Sequence, residues 1–185
     1  MGEITDAIER ADQQHFTRQP PKTLKGQIGF LIRRLGSAKA VAAQIGVTAD
    51  SVNRYRRGAR KHARPDIAAR IQDAVTSRWQ PQVRRRRQQQ AATTGGITVE
   101  TRARFGYTAP IGTTDDGRFR RLTVHLPPAY AQRLFDAQAA GAPDRELRGI
   151  VADGFRDVYF QDGGTRATGL SEVQLTDIDY LDLDY

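Results

Sequence analysis

Between Ala38 and Arg57 the chain reads AKAVAAQIGVTADSVNRYRR, and no other segment constrains the fold as tightly. Ala38, Ala40, Val41, Ala42 and Ala43 keep one helix thin enough for another to cross it closely. Gly46 supplies the positive φ that a tight turn between crossed helices needs. Thr48 is placed to cap the second helix, with Ala49 and Asp50 in its first turn, where a carboxylate meets the positive end of the helix dipole. Val52 is the apolar residue that pins this helix against Ala42 and Ile45, and Tyr55, three residues on, is expected in the same core.

The flanks supply the shelter that two short helices require. Thr23 opens a helix whose Leu24, Ile28, Leu31, Ile32 and Leu35 recur at helical spacing; Gly36 ends it and Ser37 caps the next. After Arg57 a basic loop, GARKHARP, closes on Pro65, a good first-turn proline. A last helix is expected to run to about Gln80 with Ile67, Ile71, Val75 and Trp79 along one side. Residues 23–82 therefore read as a helix-turn-helix DNA-binding domain. An ordinary helical hairpin is the competing reading, and charge weighs against it. The chain has a formal net charge of +8, yet residues 21–90 alone carry 17 basic and 3 acidic groups, a net +14. Residues 1–20 sum to −2 and residues 91–185 to −4. A basic excess confined to one domain is a footprint for phosphate, whose neutralisation releases condensed counterions.

On that domain Thr48, Ala49, Asp50, Asn53 and Arg54 are expected to face DNA. Asn53 suits an adenine edge and Arg54 a guanine edge, each bidentate contact discriminating by about 1–3 kcal/mol. Arg56, Arg57, Arg60, Lys61 and Arg64 suit phosphate and fix register.

The rest of the chain divides by composition. Residues 1–22 read as an N-terminal helix or arm, helical over 4–18 with Thr5 as cap and Ile4, Ala7, Ile8 and Ala11 on one face, until Pro20 and Pro21 stop it. Residues 83–96 read as a basic and polar linker, although Arg84 to Arg87 and the three glutamines after them equally fit the continuation of a polar helix. Its run from Arg84 to Arg87 is either a solvated tether or a phosphate clamp. Residues 97–120 offer a short strand, Ile97–Thr101, then an exposed loop with turn chemistry at Pro110-Ile111-Gly112 and Asp116-Gly117. Over 121–170, Leu122, Val124 and Leu126 alternate with Arg121, Thr123 and His125, the period of a half-buried strand. Two proline-started helices follow, one bearing Tyr130, Leu134, Phe135 and Ala137, the other Leu147, Ile150, Val151, Phe155, Val158 and Tyr159. This strand-helix-helix order fits a ribbon-helix-helix, in which two chains pair their strands. It equally fits an α+β domain whose strand pairs with Ile97–Thr101 or with the tail. The tail, residues 171–185, is an edge strand or an acidic partner-binding segment. The expected fold class is thus α+β, an N-terminal all-α helix-turn-helix domain followed by a smaller α+β domain.

Several chemistries lack their residues. There is no cysteine, hence no disulfide, thiolate metal site or Cys nucleophile. His15, His62 and His125 lack zinc-ligand spacing. No apolar run approaches the ~20 residues of a membrane span, and MGEITDAIER has neither the basic start nor the apolar core of a secretion signal. A cytoplasmic, nucleoid-associated protein without membrane partner or metal of its own is expected, and nothing suggests a metabolic enzyme.

Over nearly its full length the chain resembles the terminal proteins that cap linear chromosomes and plasmids of actinobacteria. The resemblance rests on KAVAAQIGV (39–47), SRWQPQ (77–82), AATTGGI (91–97), TRARFGYTA (101–109), GTTDD (112–116), RLFDAQ (133–138) and DVYFQDGG (157–164). It implies protein-primed DNA synthesis, in which a side-chain hydroxyl replaces a primer's 3′-OH and the protein stays bonded to the DNA 5′ end at the telomere. The family's priming threonine falls on Thr114, with Thr113 its nearest rival; Thr94, Tyr107 and Thr108 are weaker candidates. A hydroxyl that enters a polymerase site must stand on a slim loop, which Gly112, Asp115, Asp116 and Gly117 would support. Asp115 and Asp116 either position a metal near the hydroxyl or serve turn chemistry. The resemblance implies that Mg2+ and the dNTP belong to the partner DNA polymerase. It also implies a telomeric 3′ overhang and duplex, a telomere-associated companion protein and possible homodimers as partners. On this reading the protein is substrate and primer rather than enzyme. A helix-turn-helix transcriptional regulator and a structural DNA-binding protein are the alternatives.

Overall fold

The computed structural model describes residues 2–108 and 113–185. In chain order the elements are α1 (Glu3–Gln14), α2 (Leu24–Leu35), α3 (Ala38–Ile45), α4 (Ala49–Arg57), α5 (Pro65–Thr76), α6 (Pro81–Gln90), β1 (Ile97–Thr108), β2 (Thr113–Leu126), α7 (Pro128–Ala139), α8 (Asp144–Gly154) and β3 (Glu172–Asp184). They form two compact units, Phe16–Pro81 and a larger one made of Met1–His15 with Gln82–Tyr185. The fold is α+β with a helical N-terminal part, but the α+β unit is the larger partner, because it also takes in the first and sixth helices.

The helical unit is built on caps. Thr23, Ser37 and Thr48 each accept the amide three residues on, at 3.2, 3.1 and 3.2 Å. Gly36, Gly46 and Gly58 end α2, α3 and α4 in the left-handed conformation, with φ of 85°, 70° and 78°. Ile28, Leu31, Val41, Ile45, Val52, Ile71 and Val75 are fully buried together, and Tyr55 joins them. The last helix stops at Thr76 rather than Gln80. Beyond it, Trp79 packs on Phe30 with ring centroids 5.0 Å apart and donates its indole N–H to the Arg18 carbonyl at 2.8 Å. Gln80, at φ 43°, bonds to Thr17 through both ends of its side-chain amide, accepting from the Thr17 N–H and donating to the Thr17 hydroxyl, each at 3.0 Å.

In the larger unit β2, β1 and β3 form an antiparallel sheet in that order. The ribbon-helix-helix option is thereby corrected: the strand at 121–126 pairs within the chain, Ile97 opposite Leu126 and Val99 opposite Val124. Its partner β1 runs seven residues past Thr101, so most of the expected loop is hairpin. The tail is the edge strand β3, in register from Thr98 opposite Asp184 to Thr108 opposite Glu172. A shift between Arg102 and Arg104 lodges extra residues in β3 around Asp177, whose φ is 47°. Thr101, fully buried in the middle strand, meets that irregularity by donating to the Tyr180 carbonyl at 2.8 Å.

One face of this sheet is covered by helices. Ile4, Ile8 and Ala11 of α1, Leu134 of α7, Leu147 and Val151 of α8, and Phe155 just beyond it close over Val99, Phe105, Leu181 and Leu183. The N-terminal helix is therefore part of this core, not an arm, and it ends at Gln14. Thr5 lies inside it; the cap comes from Asp144, which accepts from the amides of Ile4 and Thr5 at 3.1 Å each. At 84–90 the polar-helix reading holds, and the linker reading of 83–96 is corrected. Helix α6 leads into a π-helical turn, Ala91–Gly95, and Gly96 at φ 70° turns the chain into β1. A Cβ at Gly96 would stand 2.4 Å from the Leu126 carbonyl oxygen, so no other residue fits.

Candidate nucleic-acid interface and priming strand

The turn between α3 and α4 is closed by the Val47 amide, which donates to the Ala42 carbonyl at 3.0 Å. Val52 and Tyr55 face inward, which turns Asp50, Arg54 and Arg57 outward on one face; Arg56 is exposed as well, and Asn53 is half-buried. Two of the expected contact residues are occupied otherwise. The Thr48 hydroxyl caps α4 and also meets the Ser51 hydroxyl at 3.0 Å, and Ala49 packs against the helical core. Arg54 is paired with Asp50 at 2.7 Å, both side chains more than half exposed. Such a pair is worth well under about 1 kcal/mol and yields readily to a base edge or a phosphate. Arg57 donates to the Asn53 carbonyl at 3.4 Å and Arg64 to Asp66 at 3.3 Å, while Arg60 and Lys61 stand exposed on the loop between α4 and α5. Arg70, which sequence patterning does not single out, donates to the Ile45 carbonyl at 3.2 Å and so satisfies the C-terminal end of α3.

The arginine run splits into two kinds of residue. Arg84 points into the larger unit and reaches α1, with Glu9 at 2.5 Å and Asp12 at 2.9 Å. Gln88 at 3.1 Å and the Tyr185 hydroxyl at 2.8 Å also donate to Asp12, which is 2 % exposed. Burial pushes the Asp12 carboxyl up, against the opposing pull of Tyr185 and Arg84. Burial also raises the Tyr185 phenol, as does the Asp12 charge. Arg84 is thus a structural anchor, while Arg85, Arg86 and Arg87 are exposed and remain available for phosphate.

Thr113 and Thr114 are the first two residues of β2, opposite Thr108 and Tyr107. Pairing resumes at Arg118 opposite Phe105, so Asp115, Asp116 and Gly117 stand against Gly106 alone. The expected loop is corrected to this extent: Thr113 to Gly117 are strand, bulged at Asp115, Asp116 and Gly117. Pro110, Ile111 and Gly112, and the side chains expected to act at Thr113, Thr114, Asp115 and Asp116, lie outside the described residues.

The uncovered face of the sheet went unforeseen, because it depends on register. Arg102, Arg104 and Phe119 come together there, with the two guanidiniums 5.9 and 5.7 Å from the Phe119 ring centre. Acids answer the arginines: Asp179 on Arg102 at 2.9 Å, Asp177 near Arg104 at 3.7 Å, and Glu100 on Arg121 at 2.7 Å. Hydrogen bonds from Arg121 and Tyr180 hold the Glu100 carboxyl below its usual range. This face is close to self-neutralised, and its pull on a polyanion is correspondingly small.

Among the described residues no His, Asp and Glu cluster of three or more is disposed to hold a metal ion, and no helix is long and apolar enough to cross a membrane. Comparison with protein-family models, curated proteins and solved structures finds no match to this chain.

Proposed function

We propose that the protein binds DNA through its helix-turn-helix unit and primes DNA synthesis through Thr114 at the end of a linear replicon. The observation that supports this reading best is the position of Thr114, the second residue of a strand whose bulge begins immediately after it. In the proposed reaction the threonine oxygen attacks the α-phosphorus of a dNTP. A phosphoester bond forms, pyrophosphate leaves, and the hydroxyl proton passes to the polymerase site, whose metal ions assist both attack and departure. The protein then remains as a covalent cap on the 5′ end. The exposed residues on α4 and the loop cations Arg60 and Lys61 hold the duplex.

Thr114→Val is expected to abolish attachment of a labelled nucleotide by the polymerase while leaving duplex affinity unchanged, and Thr113→Val to retain attachment. Full labelling of Thr114→Val overturns the assignment. The capped, basic helix pair fits a transcriptional regulator or a structural DNA-binding protein as well. Deproteinised DNA separates these readings, since only a primer survives detergent and heat on the 5′ ends.

A further inference from the structure

Among the described residues two large hydrophobic side chains are exposed, Phe119 at 47 % and Tyr159 at 38 %. Phe119 lies on the self-neutralised face. Tyr159 borders a cleft of about 590 Å3 between β2 and the segment that follows α8, lined chiefly by Arg120, Tyr159, Phe160, Arg166 and Leu170. That volume lies within the range of small-molecule sites.

Each wall of the cleft has a local cause. Arg120 pairs with Ala103 on the core side of the sheet, at the end where the apolar pattern of β2 has run out. Its guanidinium lies 5.9 Å from the Phe160 ring centre. Phe160 is held by Phe105 at 6.0 Å and meets Tyr159 edge-on at 5.0 Å, so the two rings present differently oriented faces. The loop beyond is tied by backbone. Gln161 accepts from the Arg166 amide at 2.9 Å and donates its side-chain amide to the Leu170 carbonyl at 2.8 Å. Asp162, Gly163, Gly164 and Ala167 are all left-handed, with φ of 49°, 65°, 93° and 44°. Arg166 is thereby brought to the rim. Its contact with Asp162, 3.7 Å between two largely exposed groups, is weak.

Two cations, two aromatic faces and an apolar floor, with no carboxylate among the described lining residues, specify a ligand that is flat at one end and anionic at the other. Guanidinium forks match phosphate oxygens, and aromatic rings stack on bases whatever their sequence. We propose that this cleft binds a nucleotide unit, its base stacked on Tyr159 or Phe160 and its phosphate held between Arg120 and Arg166. The unit is either free or part of a single strand, and the site does not depend on Thr114 being a primer.

The test is photo-crosslinking of the full chain to a thymidine tetranucleotide containing one 5-iododeoxyuridine, mapped by peptide mass spectrometry. Crosslinks are expected at Tyr159 or Phe160. Half-maximal crosslinking should require about five- to a hundredfold more oligonucleotide in Tyr159→Ser and in Arg120→Ser/Arg166→Ser. Tyr159 is exposed, so its substitution keeps the assay readable even where the double variant folds poorly. Competition by excess dTMP identifies free nucleotide as sufficient; persistence of the crosslink against dTMP identifies the strand as the ligand. Crosslinks confined to residues 16–81, or unaltered by Tyr159→Ser, overturn the proposal. Neither result bears on labelling of Thr114.

Discussion

Arg84 shows how little a residue's type says about its work. Four arginines stand in a row at 84–87, and only the one facing α1 is drawn into a cluster with Glu9, Asp12, Gln88 and Tyr185. Removing one partner of a buried ionic cluster leaves the other charges uncompensated, a loss of about 3–5 kcal/mol. Arg84→Ala is expected to lower stability by that amount in chemical denaturation, and Arg85→Ala to leave it within about 0.5 kcal/mol. Sequence could not separate the two, because the distinction depends on an acidic helix more than seventy residues earlier. Tyr130 gives a second residue-scale expectation. Burial, then its hydrogen bond to Asp157, pushes its phenol from 10.0 up to about 12. The folded protein therefore holds this proton more tightly than the unfolded chain. The resulting stabilisation is complete below pH 10 and is lost as pH climbs through about 12. Urea titrations between pH 9 and 12 should show a stability decline that Tyr130→Phe makes shallower.

At the scale of elements, local signals and non-local ones part company. Caps at Thr23, Ser37 and Thr48 and stops at Gly36 and Gly46 are short-range chemistry, and the helical unit was legible from them nearly to the residue. The strands were legible only where apolar alternation marked them. β1 beyond Thr101 alternates Arg102, Ala103, Arg104 and Phe105, and its small and charged members disguised a strand that pairing on both sides secures. The bulge at Asp115–Gly117 wears the composition of a turn, which explains why a loop was expected there. Two distinctive strings coincide with such demands: AATTGGI spans the π-helical turn and Gly96, and SRWQPQ spans the Trp79 and Gln80 contacts. The exposed residues of α4 and of the loop after it also belong to this scale. With Arg56, Arg57, Arg60, Lys61 and Arg64 on phosphates, the logarithm of duplex affinity should fall with that of salt at a slope of about −4.5. Arg60→Ala should make that slope shallower by about one. A flat response would remove this face from consideration.

For the molecule as a whole, the helical unit interrupts the sheet unit. The chain leaves the latter at His15 and re-enters it at Gln82, and each unit keeps its own buried cluster. Independent cores predict independent opening. Ile45→Ala, fully buried in the helical unit, should cost about 2–5 kcal/mol there. Hydrogen exchange should register this as faster exchange across residues 16–81, with the amides of β1 and β3 unchanged. Sequence patterning suggested a bead-on-string order of arm, helices, linker and sheet, since composition changes at those borders. It could not reveal that α1 and α6 are neighbours, because only tertiary contact joins them.

That neighbourhood has a practical corollary. The segments entering and leaving the helical unit are fastened at two levels, by Thr17, Arg18, Trp79 and Gln80 on one side and by Glu9, Asp12 and Arg84 on the other. A protease that nicks the loop around Arg60 would sever the backbone without freeing either half. Both fragments should travel together through a sizing column and separate only in denaturant.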